Sequence, residues 1–382
     1  MIKIAADSQI PSVEQKLSEF FAEKFSLELF TFDELTSNDL RDIDALFVRS
    51  TTRVDKELCD QSSIKFIGST TAGINHLNIE YLDAQNILWS FAPGCNASSV
   101  THYVMSVLAE LIQEGLFSVR QTVGIIGYGN IGKKVYQLLS ALNIKVFAYD
   151  PLLNDSHLVT MEEVLACDLI TIHVPFTKQG AYPTSQLINQ SHKSCLRDKI
   201  LINTSRGGVV CEKLLSQSSD LIYVADVWVD EPTPSITAIK NSFIATPHIA
   251  GYSIEGKMNG TSVIALECAK AFNCLKENKS MDYQLMQWPH GLENIVRDMH
   301  AHGFPLAMFN SELDLHSLSN QFKDLSAHNL ASGFKSLRIN HPPRHDFDAY
   351  DYQNIADLDE SINLDFFHRL HHLSDQHNES PK

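Results

Sequence analysis

The run TVGIIGYGNIG, Thr122 to Gly132, constrains this chain more than any other segment, because an apolar strand breaks there into G-x-G-x-x-G and reopens as a helix. The apolar residues before Gly127 suit a strand buried in a parallel sheet. Val135, Leu138, Leu139 and Leu142, spaced i, i+3, i+4, i+7, give the following helix one apolar face to lay against it. Gly127 permits a tight turn, Gly129 lets the backbone approach a pyrophosphate, and Gly132 lets the helix lie close to the strand with its N-terminal amides toward the phosphates. The pattern implies a bound dinucleotide. A second strand, KVFAYD, ends in Asp150, 18 residues past Gly132, close to the spacing of an acid that receives ribose hydroxyls. A carboxylate there repels a 2′-phosphate, and Pro151 to Ser156 contain no Arg or Lys to receive one, so NAD is expected rather than NADP.

Bulk properties set the context. The 382 residues suffice for two or three domains, and 44% hydrophobic with 20% charged residues is ordinary for a globular chain. The N-terminus, MIKIAADSQI, runs straight into an alternating strand without a basic and apolar leader, so no secretory signal is expected. The apolar stretch Val104 to Ile112 is too short to span a bilayer and reads as a buried connecting helix. Seven scattered cysteines without a C-x-x-C pair suit reduced thiols and a cytoplasmic setting. The formal charge of −16 argues against general binding to nucleic acid or anionic membranes. It also means that an anionic substrate must be held by a few locally placed arginines.

Residues 1 to 97 alternate short strands (Ile2 to Ala6, Leu46 to Arg49, Lys65 to Ser69) with helical patterns such as Val13 to Phe25, an α/β signature ahead of the dinucleotide motif. From 98 to 253 the alternation continues through LITIHVP, KILINTSRG, LIYVADVW and SFIATPHIAG. After about 285 the composition shifts, with 11 of the 17 histidines in the last 97 residues, and a separate C-terminal module is expected, closing in a disordered tail, SDQHNESPK. In doubly wound sheets ligands sit outside the carboxyl ends of the strands, so the strand ends are where chemistry is sought. Three of them carry a cation, an acid and a base in order: Arg206 after KILINTS, Glu231 after ADVWVD, and His248 after SFIATP. Hydride transfer from a hydroxy acid needs that set: a cation for the carboxylate, a base for the hydroxyl proton, and an acid to orient the base.

GYGNIG, NTSRGGVV, DVWVDEP and TPHIAGYSIEGK together resemble the D-isomer-specific 2-hydroxyacid dehydrogenases over most of residues 1 to 280. The resemblance implies a doubly wound Rossmann NAD domain (98–253), a flavodoxin-like substrate domain (1–97 plus about 254–285) and a C-terminal α+β dimerisation module (286–382). It implies Arg206 as carboxylate clamp, His248 as base and Glu231 as its partner, favouring the charged imidazole. Gly127, Gly129, Asn130, Ile131, Gly132, Asp150, Val174, Asp226 and Gly251 would contact NAD, while Ser50, Thr71 and Tyr252 would bind substrate. FVRSTTRV, IGSTTAGINHL, APGCNA and the C-terminal FKSLRINHPPRHDFD point to a branch of the family acting on a small phosphorylated hydroxy acid as a cytoplasmic homodimer. Arg49 and Arg53, the basic residues nearest Ser50, are expected at the phosphate, and Arg344 at the neighbouring subunit's site.

Some positions depart from the family pattern: Cys211 stands for an Asp, Glu212 for a small or polar residue, and His102 for a Glu on the connecting helix, while Val229 stands in DVWVDEP where an acid is usual. None of them is the proposed cation, acid or base. His368, His371 and His372 share a helical face, but no cysteine or paired carboxylate stands at ligand spacing, so no metal is expected. Two alternatives remain at this stage. One is a dehydrogenase of another hydroxy acid, such as 3-phosphoglycerate, although the C-terminal module lacks the βαββαβ alternation of a regulatory domain. The other is a non-catalytic NAD-sensing protein on the same scaffold.

Overall fold

The structure, a computed structural model, describes residues 1–370 apart from 32–33, 216–219, 277–284, 353, 360–361, 363–364 and 368. The tail SDQHNESPK and the histidines 368, 371 and 372 therefore lie outside the described residues. The chain divides into two compact units, Met1–Asn96 with Ser253–Gln284, and Ala97–Tyr252 with Leu285–Lys382.

The first unit is built on a parallel sheet of β1 (Ile2–Asp7), β2 (Phe25–Phe30), β3 (Ala45–Val48), β4 (Phe66–Ser69) and β5 (Leu88–Phe91), in the order β2-β1-β3-β4-β5. That is the flavodoxin-like order. The inner strands β3 and β4 are buried at every residue, as parallel strands covered on both faces must be. Helix Ile254–Ala271 returns to this unit and packs Ile264, Ala265 and Cys268 with Ile4, Ala6 and Phe47. The helical pattern expected from Val13 to Phe25 stops at Phe20, and Phe25 opens β2 instead. The apolar spacing of Val13, Leu17 and Phe20 is helical, whereas FSLELF alternates and pairs along β1 from Ile2↔Phe25 to Asp7↔Phe30.

The second unit carries β6 (Thr122–Ile126), β7 (Lys145–Tyr149), β8 (Leu169–Ile172), β9 (Ile200–Asn203), β10 (Ile222–Ala225) and β11 (Ile244–Ala245), all parallel, in the order β11-β10-β9-β8-β6-β7. Beta6 lies between β7 and β8, so the chain reverses its direction of winding at the glycine-rich turn, the switch point where open α/β sheets bind ligands. Helix Asn130–Ala141 buries Val135, Leu138 and Leu139, the face that its spacing predicts.

Residues 285–382 do not form a third unit but cluster with this second one. The reason lies in helix Ala97–Gln113, which is buried from Ala97 to Ile112. A helix buried on every face needs cover on every side, and its buried polar residues need partners there. The core that contains Val104, Val107, Leu108 and Leu111 joins Leu138 and Leu139 of the dinucleotide-side helix to Phe304, Met308 and Phe309 of the C-terminal segment. Ser106 Oγ donates to Phe309 O at 2.7 Å, tying the two backbones. The segment itself is mainly helical (Leu292–His302, Leu306–Asn310, Leu315–Lys323, Leu330–Ile339), with one two-residue strand pair, Met286–Gln287 beside Tyr350–Asp351. No helix among the described residues is long and apolar enough to cross a membrane.

Candidate active site

The turn after β6 has a geometry that only glycine satisfies at two of its three positions. Gly127 has φ +95°, and a Cβ there would stand 2.6 Å from His173 O. A Cβ at Gly132 would collide with Gly127 O, so the helix could not approach the strand. Gly129 differs, because a Cβ there would meet nothing within 4 Å. The protein's own packing leaves that space open, and a pyrophosphate fits it. Gly129 is also the helix N-cap and offers no side-chain acceptor, so the amides of the first turn, at Asn130 and Ile131, are left for an anion. Asp150 is half-buried just beyond β7, its Oδ2 accepting from Tyr128 N at 2.9 Å and its Oδ1 from Leu152 N at 3.0 Å. The carboxylate is thus fixed to the glycine turn. Val174, beyond β8, would stand 2.9 Å from a Cβ on Gly127 and walls the same turn. These residues fit NAD: a bare cradle for the diphosphate and an acid, rather than a cation, at the ribose.

His173 escapes sequence reasoning, although LITIHVP contains it. Its Nε2 lies 3.0 Å from Thr171 Oγ1 and its Nδ1 3.4 Å from Thr204 Oγ1, and desolvation pushes its imidazole down to about 3. Its backbone carbonyl backs the glycine turn, and its neutral imidazole adds no charge there.

Arg206 follows β9 in a loop shaped by Asn203, whose Oδ1 accepts from Ser205 N and Ser205 Oγ and whose Nδ2 donates to Arg206 O. Gly207 lies so near Trp228 O that a Cβ would overlap it, which brings the Arg206 loop onto the backbone leading to Glu231. Burial lowers the Arg206 guanidinium, and the Glu231 carboxylate opposes that shift. Glu231 is held at both oxygens: Oε1 accepts from Trp228 N at 2.9 Å, and Oε2 lies 2.7 Å from His248 Nδ1. Burial raises the Glu231 carboxyl, but the His248 hydrogen bond and charge, the Trp228 amide and the Arg338 charge outweigh it, so the net shift is downward. With Glu231 ionised, the shared proton belongs on Nδ1, and Nε2 keeps a lone pair that can accept another.

The His248 loop is shaped from beneath by Asp226. This fully buried carboxylate accepts from Thr246 Oγ1 (2.7 Å), Ile249 N (2.7 Å) and Ala250 N (2.9 Å). Desolvation raises its carboxyl, against the His248 charge and these three donors. Asp226 thus spends its oxygens on the protein, and Gly251 and Tyr252 follow directly on the loop it shapes. Tyr252 is half-buried, with Arg338 Nη2 donating to its hydroxyl at 2.6 Å and His341 stacked on its ring at 6.4 Å. Arg338 is a second residue that sequence reasoning missed; FKSLRINHPPRHDFD contains it, but nothing local to the motif says that it meets Tyr252.

The remaining expected residues lie elsewhere. In the first unit, Ser50 is exposed after β3, and Thr71 follows β4 with its hydroxyl bonded to Ser69 Oγ and Gly73 O. Arg49 pairs with Asp7 (2.8 Å) and Arg53 with Asp55 (2.9 Å). Arg344 corrects the expectation made for it: it is 1% exposed and faces inward within its own chain, not toward a neighbouring subunit. Its Nη2 donates to Ala250 O (2.7 Å) and Ser99 O (3.1 Å), and its Nη1 to Asp346 (3.1 Å). The departures from the family pattern find partners too. Val229 N donates to Glu212 Oε1 at 3.0 Å, so two of them support one another beside Glu231. His102 is buried next to Arg344 and Asp346, and burial, then the arginine's charge, drives its imidazole well below its ordinary value.

A dinucleotide cradle together with an Arg206, Glu231 and His248 cluster defines an NAD-dependent dehydrogenase of 2-hydroxy acids. Residues 113–250 match the D-isomer specific 2-hydroxyacid dehydrogenase, NAD binding domain. The fold is shared with an NAD⁺-bound 3-phosphoglycerate dehydrogenase of Entamoeba histolytica, at 22% identity and TM-score 0.60, over 75% of this chain and 99% of that one. Two curated relatives are closer in sequence. Erythronate-4-phosphate dehydrogenase of Shewanella loihica is 34% identical over 96% of this chain and 99% of its own length, and that of Hahella chejuensis is 42% identical over 69% and 70%. The chain belongs to the erythronate-4-phosphate dehydrogenase family, within the D-isomer-specific 2-hydroxyacid dehydrogenases.

Proposed function

We propose that this protein oxidises 4-phospho-D-erythronate to (R)-3-hydroxy-2-oxo-4-phosphooxybutanoate with NAD, a step of pyridoxal 5′-phosphate biosynthesis. The observation that carries the chemistry is the 2.7 Å contact of His248 Nδ1 with Glu231. It leaves Nε2 to take the C2 hydroxyl proton as the C2 hydrogen departs. Arg206 holds the substrate carboxylate, and its positive charge orients C2 toward the base. Glu231 fixes the imidazole tautomer and stabilises the imidazolium that the proton transfer creates. Bound NAD supplies the hydride acceptor, held by the glycine turn with Asp150 on the ribose. Asp226 and Gly251 serve the nicotinamide end, and Ser50, Thr71 and Tyr252 complete the substrate contacts. Reading the substrate as phosphorylated rests on the names of the curated relatives.

The same reading places the enzyme in the cytoplasm as a homodimer assembled through residues 286–382. Seven free cysteines, five of them buried, support a reducing setting. Light scattering on the purified protein should return twice the chain mass; a single-chain mass would remove the dimer.

The test of function is NADH formation under single-turnover conditions with 4-phospho-D-erythronate, beside 3-phosphoglycerate and D-lactate. A burst with phosphoerythronate alone is expected. Silence with all three, from protein that binds NAD, would overturn the reading in favour of NAD sensing without catalysis.

A further inference from the structure

Arg338 is a cation that no carboxylate contacts directly. It lies on helix Leu330–Ile339, and among the described residues no carboxylate stands within ion-pair distance of it. Its Nη2 donates to the Tyr252 hydroxyl at 2.6 Å, its guanidinium stands 5.3 Å from the Tyr252 ring centre and 5.8 Å from that of Phe334, and its Nε is buried without a hydrogen-bond partner. A desolvated donor left unsatisfied is unfavourable, so a guanidinium held this way invites an anion. The site is also near the chemistry: the charge of Arg338 helps to hold Glu231 ionised. By contrast Arg49 and Arg53, the cations that the sequence suggests for the phosphate, already carry Asp7 and Asp55. In a chain of net charge −16, an arginine with no carboxylate in direct contact is where a dianionic group would be drawn.

We infer that Arg338, presented by the C-terminal segment against Tyr252, binds the phosphate of the substrate and sets the preference for phosphorylated hydroxy acids. The inference rests on the function proposed above and deepens it. Arg206 takes the carboxylate at one end of the substrate, and Arg338, with the Tyr252 hydroxyl beside it, takes the phosphate at the other. A planar guanidinium can offer two parallel N–H donors to phosphate oxygens, which a lysine cannot. The C-terminal segment is then part of the substrate site and not solely an assembly surface.

The test compares wild type with Arg338→Gln and Arg338→Lys, reading steady-state kinetics on 4-phospho-D-erythronate and on unphosphorylated D-erythronate, and thermal stabilisation by inorganic phosphate. Loss of a charge-assisted contact should raise KM for the phosphorylated acid about 10- to 100-fold in the Gln variant. KM for D-erythronate and the affinity for NAD should stay within about twofold, so that discrimination collapses, and the Lys variant should recover part of it. Stabilisation by phosphate should vanish in the Gln variant. An unchanged ratio of the two KM values, or phosphate stabilisation that survives the Gln substitution, would overturn the inference. If the wild type does not turn over phosphoerythronate at all, the proposed function fails, while the phosphate titration still decides Arg338. A Gln variant that no longer binds NAD would be misfolded, and the Lys variant then carries the comparison.

Discussion

His248 adopts φ +59°, a left-handed backbone conformation that costs a non-glycine residue about 1–2 kcal/mol. The three hydrogen bonds into Asp226 offset that cost by fixing Thr246 before it and Ile249 and Ala250 after it. Backbone strain, a buried acid and the Glu231 contact together aim one imidazole. Replacing His248 with Gln should lower turnover about 10²-fold or more while NAD affinity, read by NADH fluorescence, is kept. A variant that still turns over would remove His248 as the base. Glu231→Gln removes the carboxylate that fixes Nδ1 and should lower turnover while NAD affinity is kept; an unchanged turnover would show that the pair does not act together. The same carboxylate contributes to stability. The Glu231 carboxyl is held below its ordinary value when folded, so its contribution is present above the unfolded value of about 4.3 and fades as pH falls below it. The melting-temperature gap between wild type and Glu231→Gln should therefore narrow on acidification. The pairing of Glu231 with His248 could be expected from the sequence because each follows a strand beside a proline; the hold of Asp226 on the His248 loop could not, since that needs the carboxylate to lie beneath Ile249 and Ala250.

At the scale of elements, the glycine turn separates packing from ligand binding. Gly132→Ala puts a methyl group into Gly127 O and should destabilise the protein by about 1–3 kcal/mol, as overpacking does, and weaken NAD binding with it. Gly129→Ala meets only open space. It should leave the melting temperature unchanged and weaken NAD binding alone, as calorimetric titration would show; equal thermal losses in the two variants would contradict the cradle described above. The strands of the second unit are apparent from sequence because runs such as LITI and ILIN are mostly apolar, as strands buried at every residue must be. The edge strands β2 and β5 are less so. Half-exposed, they alternate weakly, and FSLELF follows a helix whose periodicity runs up to it.

For the whole molecule, Arg344 is the fastening that sequence reasoning misplaced. It joins Asp346 of the C-terminal segment to the backbone of Ser99 and Ala250 in the dinucleotide unit, with no access to solvent. Arg344→Met should cost about 3–5 kcal/mol, because it strands Asp346 as a buried charge, and denaturant unfolding would measure it; a change under about 1 kcal/mol would mean that Asp346 has other compensation. The chain by itself determined the cofactor, the class of reaction and the run of strands in the second sheet, because a glycine turn, an acid at a strand end and apolar runs are local patterns whose physics acts over a few residues. Only the tertiary structure decided that residues 285–382 pack as one unit with the dinucleotide fold, that His102 lies beside Arg344, and that Arg338 meets Tyr252. Those contacts join residues from about 90 to nearly 250 positions apart, and no local pattern records which buried charge will face which partner once a helix has been covered on every face.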